Sequence, residues 1–302
     1  MERKIDFRSG KHQYEFINEH IEKDLYINEN KNIIVYIDSL PEKEQKKQDN
    51  EIWIYIQVES YYILSHLMQY IYDYDFDIVF TFTKHFYEKK NTYKFLPYNK
   101  VYWIAPSYEL QHNLNLPSLK PINYIIQNKI CQVSMICGSK NWATGHQFRR
   151  QVWESQEKMI FQKKFMYSKN YGDLKIFDNN EEISHGKNKT ELFIDSMFHI
   201  AIENNQAIEY FTEKLIDCFV SKTIPIYYGC HNIGDYFNLE GMIIVNDIND
   251  INNLNNIICE KFYNDRIHFI EDNYNRVLNN LSFKDQFIQI IENKLNLTIQ
   301  EK

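Results

Sequence analysis

The first third of the chain alternates short apolar runs with a segment whose apolar residues recur at helical spacing. The apolar runs at 32–38, 51–60 and 76–82 are rich in β-branched and aromatic residues and predict strands. Between the last two runs, residues 61–74 place apolar side chains three and four positions apart, which predicts a helix. Strands that alternate with helices are typical of βαβ units in a parallel sheet.

The alternation begins again after a stretch that contains Pro117 and Pro121, which interrupt the pattern. Beyond that stretch, the pattern predicts helices at 146–159 and 212–222 and strands at 132–138, 196–204, 223–229 and 241–247. We expect one α/β domain at 1–125 and a second at 126–260, with the linker near 107–125. The helical residues 261–302 either pack back on the first domain or mediate association.

The composition of the chain limits which binding partners and which cellular compartment we expect. The net charge is −7 over 302 residues, which argues against a nucleic-acid-binding protein because such proteins are usually basic. The five cysteines include no CxxC pair, which favours free thiols in a reducing compartment. The N-terminus lacks the apolar core of a signal peptide, and no run approaches the roughly 20 apolar residues of a membrane span. We expect a soluble, cytoplasmic protein, with a membrane-peripheral site left open and the Golgi lumen only if an anchor has been removed.

Residues 198–237 carry the strongest chemical signal. An apolar strand there ends in Glu203 and Asn204, and ligands of open α/β sheets bind at the carboxyl ends of strands. A helix follows with Thr212 as a good N-cap, and the free amides of a first helical turn attract anions. Lys214 in that turn opposes the helix dipole, which a bound anion such as a diphosphate would explain. The alternative is a surface helix with an ordinary Glu-Lys pair.

The same segment resembles the signature of the α-1,3/4-fucosyltransferase family, glycosyltransferase family 10. The resemblance covers about forty residues and rests on the run ENNQAIEYFTEK and on IPIYYG at 224–229. It implies a GT-B architecture, with two Rossmann-like α/β domains facing a cleft. It also implies that GDP-fucose is the donor and that its nucleotide is held by Asn204, Tyr210, Glu213 and Lys214. Glu203 is expected to support the loop.

The helix at the start of the second domain extends the resemblance. Arg149 falls where the family has an arginine on this helix, and a solvated helix face is the alternative. The family also uses an arginine between this helix and the Glu-Asn strand to hold the diphosphate. No arginine lies between 151 and 203, and Lys169 is the nearest substitute. A lysine binds phosphate as a point charge and not bidentately.

The first domain supplies the candidate base. Glu59 lies at the end of the strand predicted at 51–60 and precedes a helix, where the family carries the carboxylate that deprotonates the acceptor hydroxyl. The alternative is a carboxylate favoured by the helix dipole. His66 and His85 are nearby ionisable groups that are more typical of structural roles. The DxD patterns at 73–77 precede a strand and suit a turn better than a metal site.

The resulting prediction is an inverting glycosyltransferase that works in glycan biosynthesis or protein glycosylation. It needs neither a metal nor a cofactor beyond its nucleotide-sugar donor, and its acceptor is an oligosaccharide or glycoconjugate. One alternative is the same scaffold with another GDP- or UDP-linked sugar. A second is a relative that binds sugar nucleotides or glycans without catalysis, and the last is a structural α/β protein.

Overall fold

The computed structural model describes residues 3–9, 25–27, 30–83, 94–97, 129–168, 173–183, 189–278, 283–296 and 298–301. The strands are β1 Arg3–Lys4, β2 Asp6–Ser9, β3 Leu25–Ile27, β4 Asn32–Ile37, β5 Glu51–Ile56, β6 Ile78–Thr81, β7 Lys94–Pro97, β8 Ile130–Cys137, β9 Gln162–Ser168, β10 Glu181–Ile183, β11 Ser196–Ile202, β12 Ile224–Tyr228, β13 Ile243–Ile244 and β14 Ile299–Glu301. The α-helices are α1 Tyr61–Met68, α2 Thr144–Glu154, α3 Lys189–Ile194, α4 Glu213–Val220, α5 Ile248–Asn253, α6 Glu260–Asn264, α7 Ile267–Leu278 and α8 Phe283–Leu295.

The chain divides into two compact units. The first comprises Met1–Ile104 and Leu281–Lys302, and the second comprises Ala105–Asn280. The predicted linker near 107–125 and the predicted boundary at 125 lie outside the described residues. Among the residues that are described, no helix is both long enough and apolar enough to cross a membrane.

The first unit contains a parallel sheet in the order β2-β4-β5-β6-β7. Its central strands are continuous apolar runs because both faces are covered, as parallel sheets require. Helix α1 packs Leu64 and Met68 into a core that contains Trp53, Tyr55 and Phe76. The C-terminal residues belong to this unit, since β14 pairs antiparallel with β3 and α8 contributes a buried phenylalanine to the core.

The second unit is a six-stranded parallel sheet in the order β10-β9-β8-β11-β12-β13. All seven residues of β11 and all five residues of β12 are buried, which places these strands at the centre of the unit. Helices α2, α3 and α4 pack against β8, β11 and β12. Polar residues that follow β11 therefore emerge where two neighbouring strands and two helices meet.

The observed elements confirm the predicted alternation of strands and helices, with differences at element ends. The helix predicted at 61–74 ends at Met68, and a 3-10 turn at Ile71–Asp73 follows it. The strand predicted at 241–247 is reduced to the two residues of β13. Two strands that the sequence pattern did not reveal, β9 and β10, extend the second sheet. The mixed α/β class with parallel sheets agrees with the prediction.

Candidate functional site

Glu203 lies at the carboxyl end of β11 and fixes the start of the helix that follows. Its backbone N–H donates to the carbonyl of Tyr228 over 2.9 Å, which extends the β11–β12 ladder by one residue. Its carboxylate is fully buried and accepts the backbone N–H of Thr212 at 2.8 Å and the Thr212 hydroxyl at 2.7 Å. The strand end and the N-terminus of α4 are therefore joined by one side chain.

The first turn of α4 holds a lysine between two carboxylates. Thr212 caps the helix, and its Oγ1 accepts the backbone N–H of Lys214 at 3.3 Å. The Lys214 Nζ lies 3.1 Å from Glu213 Oε1 and 3.7 Å from Glu203 Oε2. These carboxylates offset the unfavourable interaction of the lysine with the helix dipole. The side chains of Lys214 and Glu213 keep about a quarter of their surface exposed, 27% and 28%, so a ligand can reach them.

Burial dominates the ionisation of Glu203. Removal from water raises the pKa of this carboxyl to about 7, and the neighbouring negative charge of Glu213 adds to the effect. The Lys214 ammonium and the two hydrogen bonds from Thr212 act in the opposite direction. A carboxyl with this pKa changes its charge near neutral pH.

A second helix N-terminus meets the same strand end. The backbone N–H of Gly145, in the first turn of α2, donates to the carbonyl of Asn204 over 2.9 Å. A Cβ at position 145 would lie only 1.8 Å from the carbonyl oxygen of Glu203, so a side chain does not fit there. The absence of a side chain at Gly145 therefore brings the amides of α2 against Glu203 and Asn204.

His146 orients the side chain of Asn204. The His146 Nδ1 lies 3.4 Å from the backbone N–H of Ala143 and accepts from it, which leaves the ring proton on Nε2. Nε2–H then donates to Asn204 Oδ1 over 3.1 Å, so the amide NH2 of Asn204 points away from the imidazole. Burial and the positive charge of Arg149 lower the pKa of His146 to about 4, which keeps the ring neutral.

Cations surround this strand end. The charges of Arg149, Lys140 and Lys214 all act on His146 and lower its pKa. Arg149 is half-buried and donates a hydrogen bond to the carbonyl of Ile202, the last residue of β11. Three cations and two helix N-termini at the end of one strand form an environment suited to an anion of the size of a diphosphate.

The I-P-I-Y-Y-G run packs directly behind Glu203. A Cβ at Gly229 would lie 2.6 Å from the Glu203 Cγ and 2.3 Å from the Tyr227 hydroxyl. The hydroxyl of Tyr227 in turn accepts the backbone N–H of Cys230 at 3.0 Å. This part of the motif therefore packs against the buried side chain of Glu203.

The structure places most of the residues that are predicted to bind the nucleotide close together. Asn204, Glu213, Lys214 and Arg149 share the carboxyl end of β11. Tyr210 lies beside them with 1% of its surface exposed, and its hydroxyl interacts electrostatically with Arg149. Lys169 lies outside the described residues.

Sequence reasoning missed Gly145, His146 and Lys140. The signal for the first two was a glycine at the start of a helix, followed by a histidine that faces the strand end. It becomes visible only when the helix is docked on the strand.

In the first unit, Glu59 follows β5 and precedes α1, as predicted. Its backbone N–H donates to Asp38 Oδ2 over 2.9 Å, and its carbonyl accepts from Gln57 Nε2 at 3.0 Å. Its side chain is partly exposed. His66 is exposed on α1, and His85 lies outside the described residues.

The carboxylates at 73–77 are used within the fold. Asp77 accepts the backbone N–H of Trp53 at 2.7 Å and pairs with Lys47 at 2.8 Å, and Asp75 pairs with the same lysine at 3.5 Å. Within the described part of the chain, no group of three His, Cys, Asp or Glu side chains could hold a metal ion.

Comparison with known proteins bears on the second unit and on the fold. Residues 145–270 match the family model described as glycosyltransferase family 10 (fucosyltransferase), C-terminal. The α-(1,3)-fucosyltransferase FucT of Helicobacter pylori is 32% identical over 103 residues, which are 34% of this chain and 21% of that relative. The resemblance predicted from the sequence is thereby confirmed over this segment.

Solved structures match over nearly the whole chain. A crystal structure of α1,3-fucosyltransferase with GDP aligns with a TM-score of 0.56 at 15% identity, covering 97% of this chain and 91% of that one. The same enzyme type with GDP-fucose gives 0.55 at 16% identity, covering 96% and 90%. The OtsA apo structure gives 0.57 at 9% identity, covering 88% and 73%. These likenesses show the fold, and they confirm the predicted GT-B class.

Proposed function

We propose, from the match of residues 145–270 to the glycosyltransferase family 10 model, that this chain transfers fucose from GDP-fucose to a glycan hydroxyl. The observation that carries the proposal is the cationic end of β11, where Arg149 and Lys214 stand beside the N-termini of α2 and α4. A nucleoside diphosphate is the anion that a sugar donor presents. Relatives solved with GDP and with GDP-fucose support the choice of nucleotide.

In the proposed donor site, the diphosphate binds at the first turns of α2 and α4. Lys214 and Arg149 neutralise its charge, and Asn204 directs its NH2 group toward an oxygen of the nucleotide sugar. Glu213 accepts hydrogen bonds from ribose or sugar hydroxyls. Glu203 holds the start of α4 and does not contact the donor, because it is fully buried.

In the proposed reaction, Glu59 takes the proton from the acceptor hydroxyl. The acceptor oxygen forms a bond to the anomeric carbon while the bond from that carbon to the diphosphate oxygen breaks, with inversion. The transition state resembles an oxocarbenium ion, as in inverting glycoside hydrolysis. Lys214, Arg149 and the helix amides stabilise the departing GDP, so the reaction requires no metal ion.

The test of the donor is a calorimetric titration with GDP, GDP-fucose, GDP-mannose and UDP-sugars in the presence of EDTA. We expect GDP and GDP-fucose to bind, and GDP-fucose to release GDP when a mixture of oligosaccharides is added. Glu59→Gln should keep the affinity for GDP and slow GDP release on the order of 10²-fold or more, the contribution of a positioned base. An unchanged rate in this variant would remove Glu59 from the mechanism.

One departure from the family pattern, a missing arginine, supports an alternative donor as a second candidate. The segment between 151 and 203 contains no arginine to grip a diphosphate bidentately. Preferential binding of another GDP- or UDP-linked sugar in the same titration would keep the mechanism and change the substrate. Binding of a nucleotide sugar without turnover on any oligosaccharide would instead indicate a relative that binds but does not catalyse.

The compartment and the acceptor class complete the proposal. All five cysteines are free thiols, including the exposed Cys259, which supports a reducing compartment such as the cytoplasm. The acceptor is proposed to be an oligosaccharide or glycoconjugate. A screen of oligosaccharide mixtures for GDP release, followed by mass analysis of the product, identifies the linkage and tests this class.

A further inference from the structure

Glu59 stands at the centre of a polar cluster formed by the carboxyl ends of three neighbouring strands. It follows β5, which lies between β4 and β6 in the sheet. Asp38 is the first residue after β4, Gln57 the first after β5, and Thr81 the last of β6. Side chains from both neighbouring strands therefore converge on the segment between β5 and α1.

Asp38 holds the amide side of this segment. Its carboxylate is 5% exposed and accepts the N–H of Val58 at 2.7 Å on one oxygen and the N–H of Glu59 at 2.9 Å on the other. Hydrogen bonds to an ionised carboxylate are stronger than those between neutral groups. Asp38 has a φ of 46°, a left-handed conformation that Asp and Asn adopt more readily than most residues.

Gln57 binds the backbone carbonyl of Glu59. Its Nε2 donates to the carbonyl of Glu59 over 3.0 Å, and its Oε1 accepts the hydroxyls of Thr81 and Thr83, the second at 3.0 Å. Because the carbonyl of Glu59 can only accept a hydrogen bond, the orientation of the amide is fixed, with its NH2 facing Glu59 and its Oε1 facing the two hydroxyls. Gln57 and Thr81 are both fully buried. The network therefore reaches Glu59 from the core of the unit.

We propose that Asp38 and Gln57 are positioning residues for Glu59, which sets the place of the base relative to the acceptor oxygen. The proposal rests on the proposed function, in which Glu59 deprotonates the acceptor. One hydrogen bond on the N–H and one on the carbonyl of the same residue fix its backbone, so only its side-chain torsions remain to be ordered. Misplacement of a reacting group by about 1 Å can cost on the order of 10²-fold in rate.

Each of two variants removes one of the hydrogen bonds that hold the backbone of Glu59. Asp38→Asn keeps the size and the tolerance for the left-handed conformation, but its NH2 cannot accept the second amide. In its ionised form, at the alkaline end of the assay range, the carboxylate of Gln57→Glu still accepts both threonine hydroxyls but cannot donate to the carbonyl of Glu59. We expect each to lower kcat for GDP release from GDP-fucose roughly 10- to 100-fold, while the Kd for GDP stays within twofold of wild type. Asp49→Asn, a change at an exposed turn residue, is the matched control and should leave both values unchanged.

The readout that separates positioning from a general structural role is a double-mutant cycle with Glu59→Gln. Once the base is absent, its position no longer matters, so Asp38→Asn and Gln57→Glu should cause no further loss in that background. A further loss of full size in the Glu59→Gln background would overturn the proposal. A normal kcat in the folded Asp38→Asn and Gln57→Glu variants would overturn it as well.

The experiment distinguishes an error in the proposed role of Glu59 as the base from an error in the proposed roles of Asp38 and Gln57. If Glu59→Gln releases GDP at the wild-type rate, Glu59 is not the catalytic base and the proposed mechanism is wrong. If Glu59→Gln is slow but the two positioning variants are normal or additive, only the positioning proposal fails. Melting temperatures monitor folding, and Thr83→Val serves if both variants unfold, since it removes only the outermost bond to Gln57. An unchanged kcat in Thr83→Val would then count against the network.

Discussion

Glu203→Gln should change the pH dependence of stability in a direction that can be calculated. The amide has the volume of the carboxylate, accepts the Thr212 N–H through its oxygen and donates to the Thr212 hydroxyl through its NH2. The two hydrogen bonds at the start of α4 are therefore kept while the titrating charge is removed. Any pH-dependent difference in unfolding free energy between the two proteins then reports the ionisation of this one group.

The magnitude follows from the two pKa values. Burial raises the pKa of Glu203 from its ordinary 4.5 to about 7 in the folded chain. Between these values the folded state binds more protons than the unfolded state, so the unfolding free energy of wild type falls as pH rises. One pKa unit corresponds to about 1.4 kcal/mol, so the full effect is roughly 3 kcal/mol. Most of that, roughly 2 to 3 kcal/mol, falls between pH 5 and pH 8.

The assay is urea unfolding of both proteins from pH 5 to pH 8, followed by fluorescence, with the difference taken at each pH. We expect the unfolding free energy of Glu203→Gln to rise by roughly 2 to 3 kcal/mol relative to wild type across this range. Glu240→Gln, at an exposed glutamate, is the matched control. A flat difference would refute the dominance of burial. A variant that loses stability with rising pH would show that Lys214 and Thr212 hold the pKa of Glu203 below its ordinary value.

Substitutions at three further residues test other parts of the second unit. Lys214→Ala should weaken GDP binding by roughly 10-fold or more, since it removes a charge-assisted bond. Unchanged affinity in calorimetry would exclude its contact with the diphosphate. His146→Leu should weaken GDP binding roughly 3- to 10-fold by releasing the amide of Asn204, and His146→Gln should restore most of it. Equal losses would exclude the orienting role. Burial lowers the pKa of Lys129 to about 7, so between pH 7 and pH 10 the unfolded state binds more protons and wild type becomes more stable as pH rises. Lys129→Met should abolish that rise in urea unfolding, and persistence of the rise would assign it to other groups.

The sequence predicted the parts of the fold whose pattern is local. β4, β5, β11 and β12 are continuous apolar runs, and such runs identify strands buried on both faces without knowledge of their neighbours. β9 was missed because only Phe165 and Met166 of its seven residues are buried. Lys164 of this strand pairs with Asp195 at 2.8 Å, a partner that is distant in the sequence.

In the candidate site, too, the residues that lie close together in the sequence were predicted and the contacts between distant residues were not. Thr212, Glu213 and Lys214 are consecutive, and helix-capping rules predict them at the start of a helix, where the structure has them. Anion binding at this turn stays a prediction. His146 meets Asn204 across 58 positions of sequence. No local rule connects a histidine on one helix with an amide after a strand, because the contact exists only once α2 packs on β11.

Buried charge also resolves a conflict that the sequence left at Lys214. A lysine in the first turn of a helix opposes the dipole, and a bound anion was one way to explain it. The structure supplies a second partner, since Glu203 and Glu213 already lie within 4 Å of the ammonium. A diphosphate that binds here meets three cations but also these two carboxylates, whose repulsion it must overcome. The raised pKa of Glu203 lessens that conflict, because near neutral pH the arriving negative charge favours the protonated carboxyl, and the lysine is then left to the ligand.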